Sequence, residues 1–259
     1  MGALTSYDVS GGVAVLRLDR PRSRNAMNTA MLEEMLAHIA SARDDDDVRA
    51  LVVSSTDHLG LSAGADVREE LDSDGRVHRM QLFADLYDDL VGVPKPTVAA
   101  CHGACVGGGA EVAIACDIRV GGSNLRLRFP GASLGVPVGP ARLVTLCGLS
   151  IAKYLLISGK EVAADEALRW GLIHKVAPAA ATEGMAIDLA TAAASHPPEA
   201  VARLKQMLHD WDGVVERSKA EGKGQVEWQR SGPGLPSSGS EPATPGVKSP
   251  PGGEKSPRA

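Results

Sequence analysis

The chain has 259 residues, 44% of them hydrophobic, which supplies enough apolar side chains for a sizeable core without disulfide or metal support. Its formal net charge is −5, so it has no general attraction for nucleic-acid phosphates or anionic membrane surfaces. Aromatic residues make up only 3% of the chain, which argues against grooves that stack bases or sugars. Nucleic acid is therefore excluded as an expected partner, and a polyanionic ligand would need basic side chains placed locally.

The cysteines do not predict a metal site. Cys101, Cys105, Cys116 and Cys147 form no CxxC pair and have no histidine at metal-ligand spacing, so we interpret them as core thiols. The N-terminus does not combine a basic stretch with a long apolar run, and no later window approaches the ~18 uninterrupted apolar residues of a membrane span. We expect a cytoplasmic protein without a membrane span.

The first half of the chain alternates strand patterns and helical patterns. Apolar residues at helical spacing follow Asn28, and the four aspartates that come after them predict a solvated loop. In chain order the predicted elements are a strand at 13–18, a helix from 28, the acidic loop at 44–47, a buried strand at 48–54, a small-residue loop at 62–66, a helix reaching 90 and a strand at 96–102.

The second half becomes mainly helical after a glycine-rich turn at 103–109 and a short strand at 118–120. Helical patterns cover 141–146, 151–157, 163–168, 186–194 and 198–211. From Ser231 onward the chain is rich in proline, glycine and serine and has almost nothing to bury. We therefore expect an α/β core over 1–195, a helical region over 196–230 and a disordered tail over 231–259.

Two glycine-containing segments carry the chemical signal. Residues 62–66 (Ser-Ala-Gly-Ala-Asp) follow one predicted strand, and residues 103–111 follow the next and open a helix with three consecutive glycines. Glycine lets a ligand approach main-chain N–H groups, and a helix N-terminus adds unpaired donors and partial positive charge. Such an arrangement suits an oxyanion.

Other glycine-rich loops do not fit these segments. No Lys-Ser or Lys-Thr follows the triplet, which excludes a P-loop, and the spacing differs from the Gly-x-Gly-x-x-Gly of dinucleotide-binding proteins. Tight packing of a strand on a helix is an alternative explanation for the triplet when it is considered alone.

With both segments in order, the sequence resembles the crotonase superfamily of enoyl-CoA hydratases and isomerases. Residues 62–66 resemble that family's first loop, residues 107–111 its Gly-Gly-Gly-x-Glu element, and residues 164–173 its later helix-to-strand segment. The resemblance covers roughly 10–230. It implies an α/β fold of stacked sheets built from repeated β-β-α units, with a helical C-terminal region that forms a homotrimer or a dimer of trimers.

The resemblance also implies roles for individual residues. The backbone N–H groups of Ala65 and Gly108 would form an oxyanion hole for a thioester oxygen, and Glu111 would act as acid or base near the acyl α and β carbons. Such a site stabilises an enolate while a carboxylate moves the proton. An exposed carboxylate at a helix start is the alternative for Glu111.

Substrate contacts follow from the same resemblance. The first loop would bind an acyl-CoA thioester, with the backbone of Ala63 holding the adenine and with Gly64 and Asp66 beside it. Arg22 and Arg24 are candidates for the CoA phosphates, although both also fit a solvated loop. No cofactor is expected beyond the CoA of the substrate, and no metal.

One departure bears on the reaction. Hydratases of this family place a second glutamate in a Pro-Glu pair, and here Gly131 stands in its place after Pro130. Hydration by two carboxylates is therefore in question. One glutamate with an oxyanion hole still supports proton transfer, so isomerisation, dehydration, or slow hydration through another group remain open. His58, Asp66 and Ser133 are candidate substitutes, and Gly131→Glu is expected to raise hydratase activity, provided that the backbone there does not require positive φ.

Two other classes of function remain open. A serine hydrolase is disfavoured because the chain has no Gly-x-Ser-x-Gly element. A non-catalytic acyl-CoA-binding protein agrees with the loss of the second glutamate, and turnover would distinguish it from an enzyme.

Overall fold

The computed structural model describes residues 2–237, which form two β-sheets surrounded by helices. The strands are β1 (Thr5–Ser10), β2 (Val13–Leu18), β3 (Ala50–Ser55), β4 (Gly60–Ser62), β5 (Thr97–Cys101), β6 (Ala104–Val106), β7 (Ile118–Gly122), β8 (Arg126–Arg128), β9 (Glu161–Ala163) and β10 (Lys175–Ala177). The helices are α1 (Thr29–Asp44), α2 (Ser73–Gly92), α3 (Gly108–Ala115), α4 (Pro140–Ser158), α5 (Ala164–Arg169), α6 (Thr182–Ala194), α7 (Pro198–Asp212) and α8 (Val214–Ser231).

The larger sheet has the order β1-β2-β3-β5-β7-β10 and is parallel except for β1. The smaller sheet has the order β4-β6-β8-β9, in which β4, β6 and β8 are parallel and β9 is antiparallel to β8. Consecutive strand pairs β3-β4, β5-β6 and β7-β8 each give one strand to each sheet, and a helix follows each pair. The predicted α/β fold of repeated β-β-α units is confirmed.

The inner strands β3, β5 and β7 of the large sheet are almost wholly buried, as expected for parallel strands that are covered on both faces. One face packs on α6 through small side chains, and the other face contributes to the main core together with α1, α2 and α3. On α6 these are Ala186, Ala190 and Ala194, which recur every fourth residue and let the helix approach the sheet closely. Every residue of β3 is buried.

One predicted boundary moves in the structure, and one predicted break is confirmed. The helices predicted at 141–146 and 151–157 are two helical segments of α4, separated at Gly148, whose φ of 77° is not helical. Ser231 ends α8 rather than beginning the tail, and the chain continues in an ordered path to residue 237. The rest of the predicted disordered tail, 238–259, lies outside the described residues.

Among residues 2–237, α4 is the one helix that is long and apolar enough to be a candidate for a membrane span. Length and composition alone give this result. Arg142 in its first turn is buried and bonded to Glu111 of α3, which ties the start of α4 to the protein interior.

Candidate active site

A cavity of about 340 Å³ lies where three parallel strands of the small sheet end. The loop after β4, the turn after β6 and the segment after β8 all reach it, because parallel strands bring their carboxyl ends to one edge. Of the predicted site residues it is lined by Ala63, Gly64, Ala65, Gly108, Glu111 and Gly131. Its remaining wall is mostly apolar, including Met80, Phe83, Tyr87, Phe129, Val136 and Leu235.

The two predicted oxyanion loops pack backbone against backbone. Gly64 has a φ of 96°, and a Cβ on it would lie 2.8 Å from the carbonyl oxygen of Val106 and 3.2 Å from the nitrogen of Gly108. A side chain would therefore separate the loops, and glycine is required there. The two segments that the sequence assigns to one site are in contact.

Both predicted donors are available. Gly108 begins α3, where the first N–H groups have no acceptor within the helix. The N–H of Met27 donates to the Gly64 carbonyl and the N–H of Asp66 donates to the Met27 carbonyl, so Ala65 keeps its own N–H outside this bridge. The two N–H groups thus lie on adjoining loops of one cavity.

Buried polar side chains hold the first loop in place. Ser62 Oγ accepts from the N–H of Gly64 at 3.0 Å and donates to the carbonyl of Asn25 at 2.6 Å. The Asn25 amide donates to Ser55 Oγ and to the Leu61 carbonyl, and it is fully buried. Asn25 has a φ of 51°, a strained value that these bonds maintain.

Glu111 lies in the first turn of α3 and is only 1% exposed. The alternative of an exposed carboxylate at a helix start is therefore wrong. Its carboxylate accepts a hydrogen bond from Arg142 Nη2 at 2.8 Å, and a Cβ on Gly139 would lie 2.6 Å from its Oε1. A buried carboxylate that borders an apolar cavity suits proton transfer.

Arg142 and Glu221 complete this group and were not found from the sequence. Arg142 Nη2 also bonds to Glu221 Oε1 at 2.7 Å, while the Glu221 carboxylate accepts from the N–H groups of Gly139 and Ala141. An arginine in the first turn of a helix opposes the helix dipole, and this was the available hint that Arg142 has carboxylate partners. Glu221 carried no signal, since it lies far along the chain on α8.

This environment shifts the pKa of Glu111. Burial raises it to about 7, the charge and hydrogen bond of Arg142 oppose that rise, and the charge of Glu221 adds to it. The Glu111 and Glu221 charges together raise the pKa of Arg142 despite its burial, so the arginine stays protonated. A carboxyl group with a pKa near 7 can both accept and donate a proton at neutral pH.

Tyr87 contributes a phenol to the cavity wall beside the triplet. Its ring lies under the Arg142 guanidinium at 4.8 Å, and its hydroxyl would lie 3.4 Å from a Cβ on Gly108. Burial raises the pKa of Tyr87 well above its usual value, so the phenol remains neutral and able to donate.

Gly131 lines the cavity, and the space around it argues against placing a glutamate there. The N–H of Val136 donates to the Gly131 carbonyl at 2.8 Å and closes a tight turn. A Cβ on Gly131 would lie 2.5 Å from the Val136 carbonyl oxygen. The φ angle is not positive, so the obstacle is lack of space rather than backbone conformation.

The three candidate substitutes for the second glutamate differ in position. The side chain of His58 is 87% exposed and does not line the cavity. Asp66 is bound by Arg20 and accepts from the N–H of Arg68, so its carboxylate is engaged in the loop. Ser133 lines the cavity, with its hydroxyl donated to the Pro130 carbonyl at 2.8 Å.

A second cavity of about 580 Å³ adjoins the first loop on its outer side. Ala63, Ala65 and Asp66 line it together with the exposed Arg22 and Arg24. Arg68 also lines it and was not singled out from the sequence. Arg22, Arg24 and Arg68 form no ion pair with any residue in 2–237, which leaves their charges available to an anionic ligand.

Within the described part of the chain, no three His, Cys, Asp or Glu side chains group closely enough to hold a metal ion.

Comparison with known proteins agrees with this geometry. The sequence profile of the enoyl-CoA hydratase/isomerase family matches residues 8–223. A short-chain-enoyl-CoA hydratase of Clostridium acetobutylicum is 35% identical over 205 residues, 77% of this chain and 78% of that protein. A 2,3-dehydroadipyl-CoA hydratase of Escherichia coli is 33% identical over 206 residues, 78% of this chain and 80% of that protein. The crystal structure of an enoyl-CoA hydratase/isomerase from Xanthobacter autotrophicus superimposes with a TM-score of 0.79 at 25% identity, covering 90% of this chain and 89% of that one.

Proposed function

Since this chain belongs to the enoyl-CoA hydratase/isomerase family, we propose that it transforms enoyl-CoA thioesters, with Ala65 and Gly108 as the oxyanion hole and Glu111 as the acid/base. The observation that carries the proposal is the buried Glu111 carboxylate, which borders the same apolar cavity as the two N–H donors. The thioester oxygen takes the two N–H bonds, so negative charge that develops on it during proton transfer is stabilised.

The geometry favours chemistry that needs one carboxylate. In isomerisation, Glu111 takes a proton from the α carbon of a 3-enoyl thioester, the electrons delocalise onto the thioester oxygen as a dienolate, and the proton returns to the γ carbon. Hydration adds water across the α,β double bond and is helped by a second base. Glu221 shares Arg142 with Glu111, and its carboxylate is also bound by two backbone N–H groups.

We assign the CoA moiety to the outer cavity. Arg22, Arg24 and Arg68 supply the positive charge that its phosphates need, and the backbone of Ala63 faces the same space. No cofactor beyond CoA enters this scheme. The cytoplasmic location stays a prediction, as does assembly into a homotrimer or a dimer of trimers. The division of the chain at residues 195 and 230 is also a prediction.

The test is an assay of purified protein against 2-enoyl-CoA and 3-enoyl-CoA substrates of several chain lengths. Glu111→Gln keeps the shape of the side chain but removes the base, so turnover is expected to fall ~10²–10⁴-fold while acyl-CoA affinity changes little. Glu199→Gln, an exposed site on α7, is the matched control and should keep full turnover.

Two outcomes would contradict the proposal. Turnover in Glu111→Gln equal to that of the unsubstituted protein removes Glu111 from the chemistry. Tight acyl-CoA binding with no turnover of any substrate in the panel supports the alternative, a non-catalytic acyl-CoA-binding protein.

A further inference from the structure

The chain continues past the family match and returns to the cavity. The match ends at residue 223, inside α8, and the helix then runs to Ser231. Residues 232–237, which we call the C-terminal strap, follow the helix and bring Leu235 to the cavity wall. This part of the wall therefore comes from residues that the family profile does not include.

Specific bonds hold the strap in place. The N–H of Leu235 donates to Gln229 Oε1 at 2.7 Å, and the N–H of Gly232 donates to the Trp228 carbonyl at 2.7 Å. Gly234 has a φ of 58°, and a Cβ there would overlap the side-chain amide of Gln229. The indole N–H of Trp228 donates to the Gly135 carbonyl at 2.8 Å and joins the end of α8 to the segment that carries Gly131.

Leu235 is buried by apolar neighbours from three parts of the chain. It is 6% exposed and packs in a cluster with Met80 and Ala84 of α2, Val136 of the segment after β8, and Val226 of α8. Met80 and Val136 line the same cavity as Glu111. The leucine side chain thus occupies space that would otherwise extend this cavity.

We propose that Leu235 limits the length of the acyl chain that the cavity accepts, which rests on the proposed function of the cavity as an acyl-CoA site. The neighbouring parts of the apolar wall are side chains of α2 and of the closed turn at Gly131, whereas Leu235 projects from a short strap. Removing its side chain leaves a hole that a longer acyl chain fills, and each buried methylene strengthens binding about fourfold.

The experiment is calorimetry of saturated acyl-CoA thioesters, from butanoyl-CoA to palmitoyl-CoA, which report binding without turnover. The affinity of the unsubstituted protein is expected to rise with chain length and then level off. In Leu235→Ala that plateau should move to chains longer by about two to three carbons, roughly the carbons removed from the leucine. In Leu235→Phe it should move to shorter chains.

Leu168→Ala is the matched control, because Leu168 lies half-exposed on α5 away from the cavity, and it should keep the original plateau. Thermal melts of each variant establish that the strap substitutions leave the protein folded, and the phenylalanine variant tests the idea without creating a hole. Identical plateaus in all four proteins overturn the role of Leu235 while the acyl-CoA site stands. Absence of binding by the unsubstituted protein at every chain length overturns both proposals.

Discussion

A single buried carboxylate is the centre of the residue-scale picture. In water, Glu111 would have the ordinary pKa of a glutamate. Burial raises that pKa, Arg142 opposes the rise and Glu221 adds to it, so the pKa reaches about 7. Its partners come from α4 and α8, which are remote in sequence. The chemistry of this residue therefore depends on three helices meeting at one point.

The pH dependence of activity follows from the direction of that shift. Glu111 must be deprotonated to act as a base, so kcat/KM for the isomerisation of 3-enoyl-CoA is expected to rise with pH through about 7 and then level off. Glu221→Gln removes a negative charge that raises the pKa of Glu111, so this rise should move to lower pH. Glu227→Gln, an exposed site on the same helix, should leave the profile in place. A profile that is unchanged in Glu221→Gln would argue against the coupling.

The variant Gly131→Glu tests whether the space around Gly131 excludes a glutamate side chain. A side chain there overlaps the Val136 carbonyl, so the variant should unfold more readily, by ~1–3 kcal/mol, and should show no gain in hydratase activity. Ala132→Glu is an exposed neighbour in the same turn and is expected to change stability by less than ~0.5 kcal/mol. Chemical denaturation measures both, and a stable Gly131→Glu protein with increased hydration would restore the original expectation.

The sequence supports the assignment of Ala65, Gly108 and Glu111 to one site because each lies within a contiguous motif after a strand. It could not locate Arg142 and Glu221, whose roles arise only when α4 and α8 pack on α3. It also gave no sign of the crowding at Gly131, which comes from a carbonyl five residues later in a turn. Local spacing predicts donors on one loop, whereas packing decides what surrounds them.

At the scale of elements, two glycines in helical segments separate the effect of backbone conformation from the effect of the space available to a side chain. Gly148 in α4 has a φ of 77° and marks the kink, while Gly184 in α6 has ordinary helical geometry. A Cβ meets nothing within 4 Å at either position. Any difference between the two alanine substitutions must therefore come from the backbone.

We predict opposite effects for these substitutions. Gly148→Ala places a side chain at positive φ and should lower the free energy of unfolding by ~1–2 kcal/mol. Gly184→Ala should raise it by ~0.5–1 kcal/mol, because alanine has less freedom to lose on folding. Urea denaturation of both proteins is the measurement. Equal effects of the same sign would mean that the kink at Gly148 is not maintained in solution.

At the scale of the whole molecule, the two-layer arrangement was predictable because each β-β-α unit repeats the same alternation of strands and helices. The path of the chain after α6 could not be predicted from the sequence. The helical C-terminal region was expected to serve assembly. In the structure, α8 packs along α2 of the same chain, α8 contributes Gln225 to the cavity wall, and the strap contributes Leu235. Packing of α8 on its own core could not be inferred from helical periodicity, which identifies an apolar face but not its partner.

Helix α7 keeps an apolar face without a partner in the described chain. Leu204, Leu208 and Trp211 recur at helical spacing and are 59%, 54% and 77% exposed. Exposed apolar rows of this kind mark contact surfaces, so we expect this face to be buried in the homotrimer that the family resemblance predicts.

Light scattering at micromolar concentration should then report about three times the chain mass of 26.9 kDa for a homotrimer, or about six times for a dimer of trimers. Leu208→Asp places a charge in the centre of the row and should shift the protein toward the monomer, because an unpaired charge is costly to bury between subunits. Leu168→Asp, on the half-exposed surface of α5, should leave the mass unchanged. A monomeric unsubstituted protein would contradict the trimer, and an intact trimer in Leu208→Asp would place the interface on another face. Since the cavity is lined within one chain by α2, α3 and the strap, the dissociated variant should still bind acyl-CoA.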